Sequence, residues 1–422
     1  MSLIELAQIA TSKTFRSYMY FWFGQLFSLL GSLVVFFVIS VWITDETRSP
    51  LMLSLASFIN LVPLLILTPF AGVISDRLNR KLIILVSDSL QAYLTVILTI
   101  FFLMDSAEIW IVFIILGLRS ICQAFHNPTV MAILPSMVPQ DKLGRVNGIR
   151  YLFLGIIQFI GPAVGATLLF LLPIKFILWI DVITFFIALG PLLVLKLPSL
   201  QNNKDLIEKN SFSKEFKEGI RVMKNVPGLL IIMVLAMLLS MLTQPLMTLG
   251  PFFIKIIHGG NNFVLAIIQM IWQGGMILGA LLPFFKKQWK NKMRVLFIGM
   301  TIINVGYIIH ALAPIGYFPI IGLGAFIMGF IMPIVNIIVM TVVQTTVPHE
   351  KMGRVSSILS MLMTVASPLG AIFAGPLSQI IGVPILYLYC ATTGMAITLL
   401  TYYFTGIRHV NYNVEIQKAI ED

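Results

Sequence analysis

The chain contains few charged residues for its length. Only 11% of its 422 residues are charged and 58% are hydrophobic, whereas a soluble domain carries about 25% charged residues. So little polar material could not cover the surface of a soluble protein of this size. The composition therefore excludes a soluble enzyme or binding module and indicates a polytopic membrane protein.

Cysteine is scarce, and acidic residues are missing from one long segment. The 2 cysteines, Cys122 and Cys390, lie within apolar runs, which excludes a structural disulfide framework. No Asp or Glu lies between Glu218 and Glu350, so a carboxylate that binds a transported proton must come from the N-terminal half. We find no P-loop, metal quartet or paired nucleophile and base. We therefore predict that the protein is not an enzyme and uses no cofactor or metal.

The hydrophobic residues form continuous runs of about 20 residues, the length that a helix needs to cross a hydrocarbon layer of about 30 Å. We predict an all-α polytopic membrane protein with twelve transmembrane helices. The spans lie near residues 17–44, 51–74, 82–104, 109–135, 146–172, 176–195, 228–256, 263–285, 293–313, 318–345, 354–381 and 384–406.

The longest polar connection divides these spans six and six. We predict an N-terminal six-helix bundle (1–196), a cytoplasmic linker (197–227), a C-terminal six-helix bundle (228–406) and a cytoplasmic tail (407–422). Most of the 28 Lys and Arg residues fall in loops on one side, which the positive-inside rule assigns to the cytoplasm. The net charge of +11 is thus explained by topology, without a nucleic-acid partner. Both termini are expected to be cytoplasmic, and the protein to lie in the inner (cytoplasmic) membrane of the cell.

The two halves share an internal repeat. The sequence of residues 138–146, VPQDKLGRV, returns at residues 347–355 as VPHEKMGRV. At the same offset Asn127 corresponds to Asn336. Two homologous six-helix halves in the same orientation are typical of a transporter with its substrate site between the halves at mid-membrane.

Three segments resemble motifs of the major facilitator superfamily: Gly72…Asp76-Arg77…Arg80-Lys81 after span 2, Leu118-Arg119-Ser120 in span 4, and Gly161-Pro162-Ala163-Val164-Gly165 in span 5. Residues 119–128 and Ile180-Asp181-Val182 are similar to the bacterial macrolide-efflux group within the drug–proton antiporters. The superfamily's loop motif has Gly where this chain has Asn79. Because Asn tolerates a left-handed backbone, we expect the turn to survive.

The resemblance implies gating roles. It makes Asp76 a latch that faces the N-terminus of span 11, with Arg80 holding its carboxylate; a solvated loop charge is the alternative. The glycine-proline segment would supply a rigid bend against leakage, or simply close helix packing. The candidate gating residues are Gly72, Asp76, Arg77, Arg80, Lys81, Gly161, Pro162, Gly165, Gly353 and Arg354.

Three charged residues are candidates for proton coupling. Arg119 lies near the bilayer midplane, where an ionised Arg costs at least about 3 kcal/mol, so it should face the interior of the bundle. Asp181 could bind the transported proton or serve as a static partner of Arg119. Asp88, the other carboxylate within a span, lies about two turns from the 72–81 loop, and we expect it to join the charge network of that loop.

Polar side chains within the spans are candidates for substrate binding. Gln123, His126 and Asn127 follow Arg119 at helical spacing and should share one face, although a lone His is often only a hydrogen-bonded core residue. The candidate set is Gln25, Arg119, Gln123, His126, Asn127, Gln244, Gln269, Gln273 and Asn336.

These observations together predict a secondary transporter that exports amphiphilic, macrolide-like compounds in exchange for protons. Its expected partners are the small organic substrate, protons and membrane lipid, and we expect a monomer. A siderophore or metabolite exporter, or a lipid flippase of the same fold, remains an alternative.

Overall fold

A computed structural model describes residues 12–194, 220–285, 291–348 and 351–409. In these ranges it contains twelve helices long and apolar enough to cross a membrane, as the sequence predicted. They are α1 (Ser12–Thr47), α2 (Pro50–Arg77), α3 (Arg80–Leu103), α4 (Ile109–Met137), α5 (Gln140–Leu171), α6 (Trp179–Val194), α7 (Leu229–Phe252), α8 (Asn262–Phe285), α9 (Lys292–Ala311), α10 (Phe318–Thr346), α11 (Met352–Ile381) and α12 (Val383–Phe404). A one-turn helix (Ile174–Ile177) leads into α6, a π-helix (Phe253–Ile257) extends α7, and a 3-10 turn (Ile407–His409) follows α12.

The apolar runs are helical because lipid offers no hydrogen-bond partner for a free backbone N–H or C=O group, and a helix pairs these groups internally. Two helix starts use an asparagine side chain as a cap. The Asn79 amide oxygen accepts from the backbone N–H groups of Lys81 and Leu82 at the start of α3, and Asn291 caps α9 in the same way. Asn79 has φ −65° and ψ 110°, so its expected left-handed conformation was wrong. The turn instead uses Asn as an extended N-cap residue.

The chain forms two compact units. One contains the residues up to Arg48 together with those from Leu55 to the end of α6, and the other contains Ser49–Ser54 with helices α7–α12. The sequence-predicted linker and tail fall largely on residues 195–219 and 410–422, outside the described residues.

In the first unit, α1 packs against both α5 and α6. Gly161 and Gly165 of α5 face Leu33 and Phe37 of α1, and a Cβ atom at Gly165 would lie 2.7 Å from Phe37 Cδ1. Pro162 lies inside the continuous α5. The glycine-proline segment therefore brings two helices close together within this unit, because small residues allow helix axes to approach.

In the second unit, α8 and α10 approach at backbone distance. A Cβ atom at Gly275 would lie 2.9 Å from the carbonyl oxygen of Phe326 and 3.0 Å from the backbone nitrogen of Phe330. A Cβ atom at Gly329 would collide with the carbonyl oxygen of Trp272. A core cluster of this unit consists mainly of aliphatic residues and methionine, with Leu296 and Val342 fully buried. The glycines of α8 and α10 thus serve helix packing.

Candidate functional site

A buried ion pair forms the centre of the polar site in the first unit. Arg119 Nη1 of α4 lies 2.6 Å from Asp181 Oδ2 of α6, and the two side chains are only 9% and 5% exposed. An isolated charge at this depth would be very costly, whereas a hydrogen-bonded pair compensates both groups. The expectation that Arg119 faces the interior, and can pair with Asp181, agrees with this geometry.

Hydroxyl groups from two further helices complete the coordination of Asp181. Ser32 Oγ of α1 donates to Oδ1 at 2.9 Å, and Thr95 Oγ1 of α3 donates to Oδ2 at 2.7 Å. Arg119 Nη1 also contacts Thr95 Oγ1 and donates to the Gln91 carbonyl oxygen at 3.3 Å. Donors of this kind stabilise the ionised carboxylate, so four helices converge on one charged pair.

The close approach of α1 and α6 makes this coordination possible. A Cβ atom at Gly31 would collide with the Thr184 hydroxyl and would lie 3.1 Å from Asp181 Cα. Glycine therefore lets α1 come near enough for the neighbouring Ser32 to reach the carboxylate. Ser32, Thr95 and Gly31 were not singled out from the sequence, because isolated Ser, Thr and Gly residues are common in membrane helices.

A cavity of about 220 Å³ opens beside the ion pair. Ser32, Asn60, Arg119 and Gln123 supply its polar lining, and its apolar wall includes Phe36. Arg119 and Gln123 thus face one cavity, as their spacing on α4 predicted. The cavity can accept a group that is partly apolar and that offers hydrogen-bond partners.

A second polar cluster lies two turns away on α3 and α4. His126 Nε2 lies 3.1 Å from Asp88 Oδ1 and 2.9 Å from Gln25 Oε1, while Gln25 Nε2 donates to Asp88 Oδ2 at 3.1 Å. The Asp88 carboxylate is buried, with 6% of its side chain exposed, whereas His126 is 17% exposed. Asn127 is exposed, and its Oδ1 lies 3.5 Å from His126 Nδ1.

This cluster corrects one expectation from the sequence. Asp88 does not face the 72–81 loop, as expected, but turns toward α1 and α4, where Gln25 and His126 provide its contacts. The polar stripe of α4 accordingly divides. Arg119 and Gln123 line the cavity, while His126 bonds within the second cluster. The rotation of α3 about its own axis decides which helices Asp88 faces, and the sequence pattern did not reveal that rotation.

The 72–81 loop is fixed by bonds to backbone carbonyls of the first unit. Arg80 donates to the carbonyl oxygens of Ser75 (3.4 Å) and Ala132 (2.7 Å), and Lys81 Nζ donates to Leu193 O at 2.6 Å. A cation near the last carbonyls of a helix is favourable, so these bonds secure the C-terminal ends of α4 and α6.

Several predicted gating residues cannot be placed with their side chains. Those of Asp76, Arg77, Gly353 and Arg354 lie outside the part of the chain that the structure describes, and the latch stays a prediction. Gly72 has open space where a Cβ atom would be.

The candidate binding residues of the second unit lie on three helices. Gln244 of α7 packs against Gly370, and its Nε2 donates to Thr248 Oγ1 at 3.4 Å. Gln269 and Gln273 are half-buried on α8, and Asn336 is exposed on α10. The role of these four amides in binding also stays a prediction.

Comparisons with known proteins agree with this architecture. The sequence profile of the Major Facilitator Superfamily matches residues 21–371. Macrolide efflux protein A of Streptococcus pyogenes is 27% identical over 390 residues, covering 92% of this chain and 96% of that protein. The multidrug efflux pump Tap of Mycolicibacterium fortuitum is 22% identical over 379 residues, covering 87% and 91% of the two chains.

Solved structures show the same fold. A mutant form of the nucleoside transporter NupG superposes with a TM-score of 0.71 at 13% identity, covering 91% of this chain and 98% of that one. Together, the profile match over most of the chain, the twelve membrane-spanning helices and the related transporter folds establish that this multi-pass membrane protein belongs to the major facilitator superfamily and is a transporter.

Proposed function

We propose that the protein exports amphiphilic organic molecules, macrolide-like drugs among them, in exchange for protons and by alternating access. The names of its relatives, a macrolide efflux protein and a multidrug efflux pump, support export of this substrate class. The proposal includes a monomer in the cytoplasmic membrane with both termini in the cytoplasm.

The observation that carries the proposal is the cavity beside the Arg119–Asp181 pair. Its 220 Å³ is less than the roughly 300–1,000 Å³ of a complete small-molecule pocket, so it would hold one end of a substrate. The aromatic wall at Phe36 suits an apolar group, and the Gln123 amide suits a carbonyl or hydroxyl group. A lining that combines apolar surface with a few polar groups fits an amphiphilic compound.

Other residues complete the proposal. Gln244, Gln269, Gln273 and Asn336 would contribute amides from the second unit, as the repeat of the two halves suggests. The 72–81 loop would close the inner side through Asp76. Arg119 and the buried carboxylates of the first unit would couple substrate movement to protons.

Lipid flipping is less well supported. A groove of about 520 Å³ between α2 and α4 opens to the side of the first unit, and its walls include Phe58, Val62, Trp110 and Phe113. The residues that line it are apolar, whereas a phospholipid headgroup would need a polar path. This groove suits an acyl chain or an apolar part of a substrate.

Proteoliposomes that contain the purified protein test the proposal. A pH gradient should drive movement of a labelled macrolide, and an uncoupler should abolish it. Arg119→Ala should abolish gradient-driven transport. Gln123→Leu should weaken substrate affinity about fivefold, because a net hydrogen bond contributes about 1 kcal/mol.

Thr392→Ala is the matched control, since Thr392 is exposed on α12 and bonds only to its own helix. Macrolide movement that ignores the pH gradient would refute proton exchange. Failure of every macrolide and cationic dye, with gradient-driven movement of a siderophore or a metabolite, would redirect the substrate class.

A further inference from the structure

Resting on the proposed proton exchange, we infer that the transported proton binds to the cluster of Asp88, His126 and Gln25, while the Arg119–Asp181 pair stays ionised throughout. The cluster joins three helices of the first unit: Gln25 lies on α1, Asp88 on α3 and His126 on α4. The sequence had placed Asp88 among the proton-coupling candidates and Gln25 and His126 among the substrate-binding candidates, and their contact gives them a common role.

The hydrogen bonds define where the proton can enter. Gln25 uses its Nε2 to donate to Asp88 Oδ2, which leaves its Oε1 as an acceptor facing His126 Nε2 at 2.9 Å. Asp88 Oδ1 is a second acceptor at 3.1 Å from the same nitrogen. Since both neighbours accept, Nε2 must carry hydrogen. The lone pair of the neutral ring is therefore on Nδ1.

Nδ1 lies on the side of the ring that is nearest to the exposed Asn127. Its described neighbour is Asn127 Oδ1 at 3.5 Å, too long for a strong bond, and Asn127 is exposed. A proton from water adds to the Nδ1 lone pair, and the ring becomes an imidazolium ion beside the Asp88 carboxylate. The charge of the cluster changes from −1 to 0, and loss of the Nδ1 proton to water reverses the step.

The Arg119–Asp181 pair is unsuited to this exchange. Arginine remains protonated in proteins, and the Asp181 carboxylate accepts from Ser32, Thr95 and Arg119. A proton on Asp181 would leave the buried guanidinium without a counter-charge, which is strongly unfavourable. Histidine is the side chain whose charge ordinarily changes between about pH 5 and 8. The His126 imidazolium can therefore lose its proton to water, whereas the Arg119 guanidinium cannot lose a proton.

Other charged and titratable groups near the cluster come from α4, α5 and α6. Asp181 of α6 and Cys122 of α4 both interact electrostatically with Asp88. Asp181 is neutralised at 2.6 Å by Arg119. From α5, Arg150 Nη1 contacts Met131 Sδ, five residues beyond His126 on α4. None of these groups replaces His126 as the contact partner of Asp88.

The cluster is also well placed to influence the cavity. His126 lies three residues after Gln123 on α4, and residues at this spacing are neighbours on a helix surface. Asp88 and Thr95, which bond to the two clusters, are seven residues apart on α3, or about 10 Å. A change of charge in the Asp88 cluster thus acts on α4, which carries Arg119 and Gln123, and on α3, which carries Thr95.

The test compares two modes of transport in proteoliposomes. Accumulation of labelled macrolide against its gradient, driven by a pH difference, requires proton movement. Exchange of labelled for unlabelled macrolide at equal pH requires only binding and alternation. We expect His126→Gln and Asp88→Asn to keep exchange within about threefold of wild type while accumulation falls to the level of a passive leak. Glu108→Gln, which neutralises an exposed carboxylate next to α4, should leave both unchanged.

Gradient-driven accumulation that persists at wild-type levels in His126→Gln or Asp88→Asn would overturn the inference while leaving proton exchange intact. Wild-type protein that moves macrolide without regard to the pH gradient would instead overturn the proposed exchange and this inference with it. The two failures are therefore distinguishable.

A second measurement covers variants that lose exchange as well. With ¹⁵N-histidine in the wild-type protein, one of the 5 imidazoles should change protonation between about pH 5 and 8, and its midpoint should move in Asp88→Glu, which keeps a carboxylate. Asp88→Glu should also retain part of the gradient-driven accumulation. If no imidazole midpoint responds to Asp88→Glu, the cluster does not bind the proton.

Discussion

Neutralising one member of the buried ion pair should destabilise the protein more than neutralising both. In Asp181→Asn, Arg119 keeps its charge at a position where the pair was less than 10% exposed. Removing one partner of such a pair costs about 3–5 kcal/mol, because the other charge stays buried without compensation. Ser32 and Thr95 can still bond to the new amide, but they cannot cancel the charge.

The reverse change should cost less. In Arg119→Gln the remaining group is Asp181, which can take up a proton and become neutral, whereas arginine cannot lose its proton. We expect a loss of about 1–3 kcal/mol, the usual cost of an imperfectly satisfied buried polar group. The double variant Arg119→Gln/Asp181→Asn removes both charges and should recover most of the stability lost in Asp181→Asn, so that the double-mutant cycle gives a large coupling energy.

Thermal unfolding of the detergent-purified proteins checks this order. All four proteins are heated at one scan rate and followed by tryptophan fluorescence, because irreversible unfolding makes the midpoint depend on scan rate. The expected order of stability is wild type, double variant, Arg119→Gln and then Asp181→Asn. The reasoning is refuted if Asp181→Asn unfolds with wild type, or if the double variant is no more stable than Asp181→Asn.

Three further predictions concern packing and pH. Gly165→Leu should lower the unfolding midpoint, because overpacking against α1 costs about 1–3 kcal/mol. Gly148→Ala on the same helix, where a Cβ atom meets nothing within 4 Å, should be neutral or stabilising. Equal effects of the two substitutions would contradict the close packing of α1 and α5. Gly329→Ala should be more harmful than Gly148→Ala in the same assay, because its neighbour is backbone and cannot rotate away; a neutral result would contradict the approach of α8 and α10. Burial lowers the pKa of His258, and its Nδ1 accepts from the Gly316 N–H at 3.3 Å. The folded state therefore binds fewer protons than the unfolded state in acid. The free energy of unfolding should rise with pH up to about 6.5 and fall below that pH, by at most about 1.4 kcal/mol per pH unit. His258→Asn keeps an acceptor but does not titrate, so wild type should lose more stability than this variant between pH 7.5 and 5, and identical losses would exclude His258 as the cause.

The sequence was sufficient for the architecture because membranes restrict the choice of structure. Twelve long apolar runs could only become helices in lipid, and all twelve are present among the described residues. It was also sufficient to single out Arg119, Asp181 and Asp88 as charged residues within spans, and all three are buried. A residue such as Arg119 or Asp181 is too costly within a span to be there without a partner.

Apart from the Arg119–Asp181 pair, which was one of two alternatives for Asp181, the partners could not be predicted from the pattern. A helix that is apolar almost all round carries little periodic information about which face points inward. The prediction for Asp88 therefore relied on its distance along the chain, which indicated the 72–81 loop as its partner. The rotation of α3 decided otherwise and directed Asp88 to Gln25 and His126.

By itself, then, the sequence determined the membrane class, the twelve helices, the repeated halves and the identity of the buried charges, because each follows from the free energy of placing residues in lipid. Only the tertiary structure decided that Asp181 is held by Arg119, Ser32 and Thr95, and that Asp88 is paired with a histidine. These contacts depend on helix rotation and on close approaches such as that at Gly31, and a linear sequence does not encode the distances between separate helices in readable form.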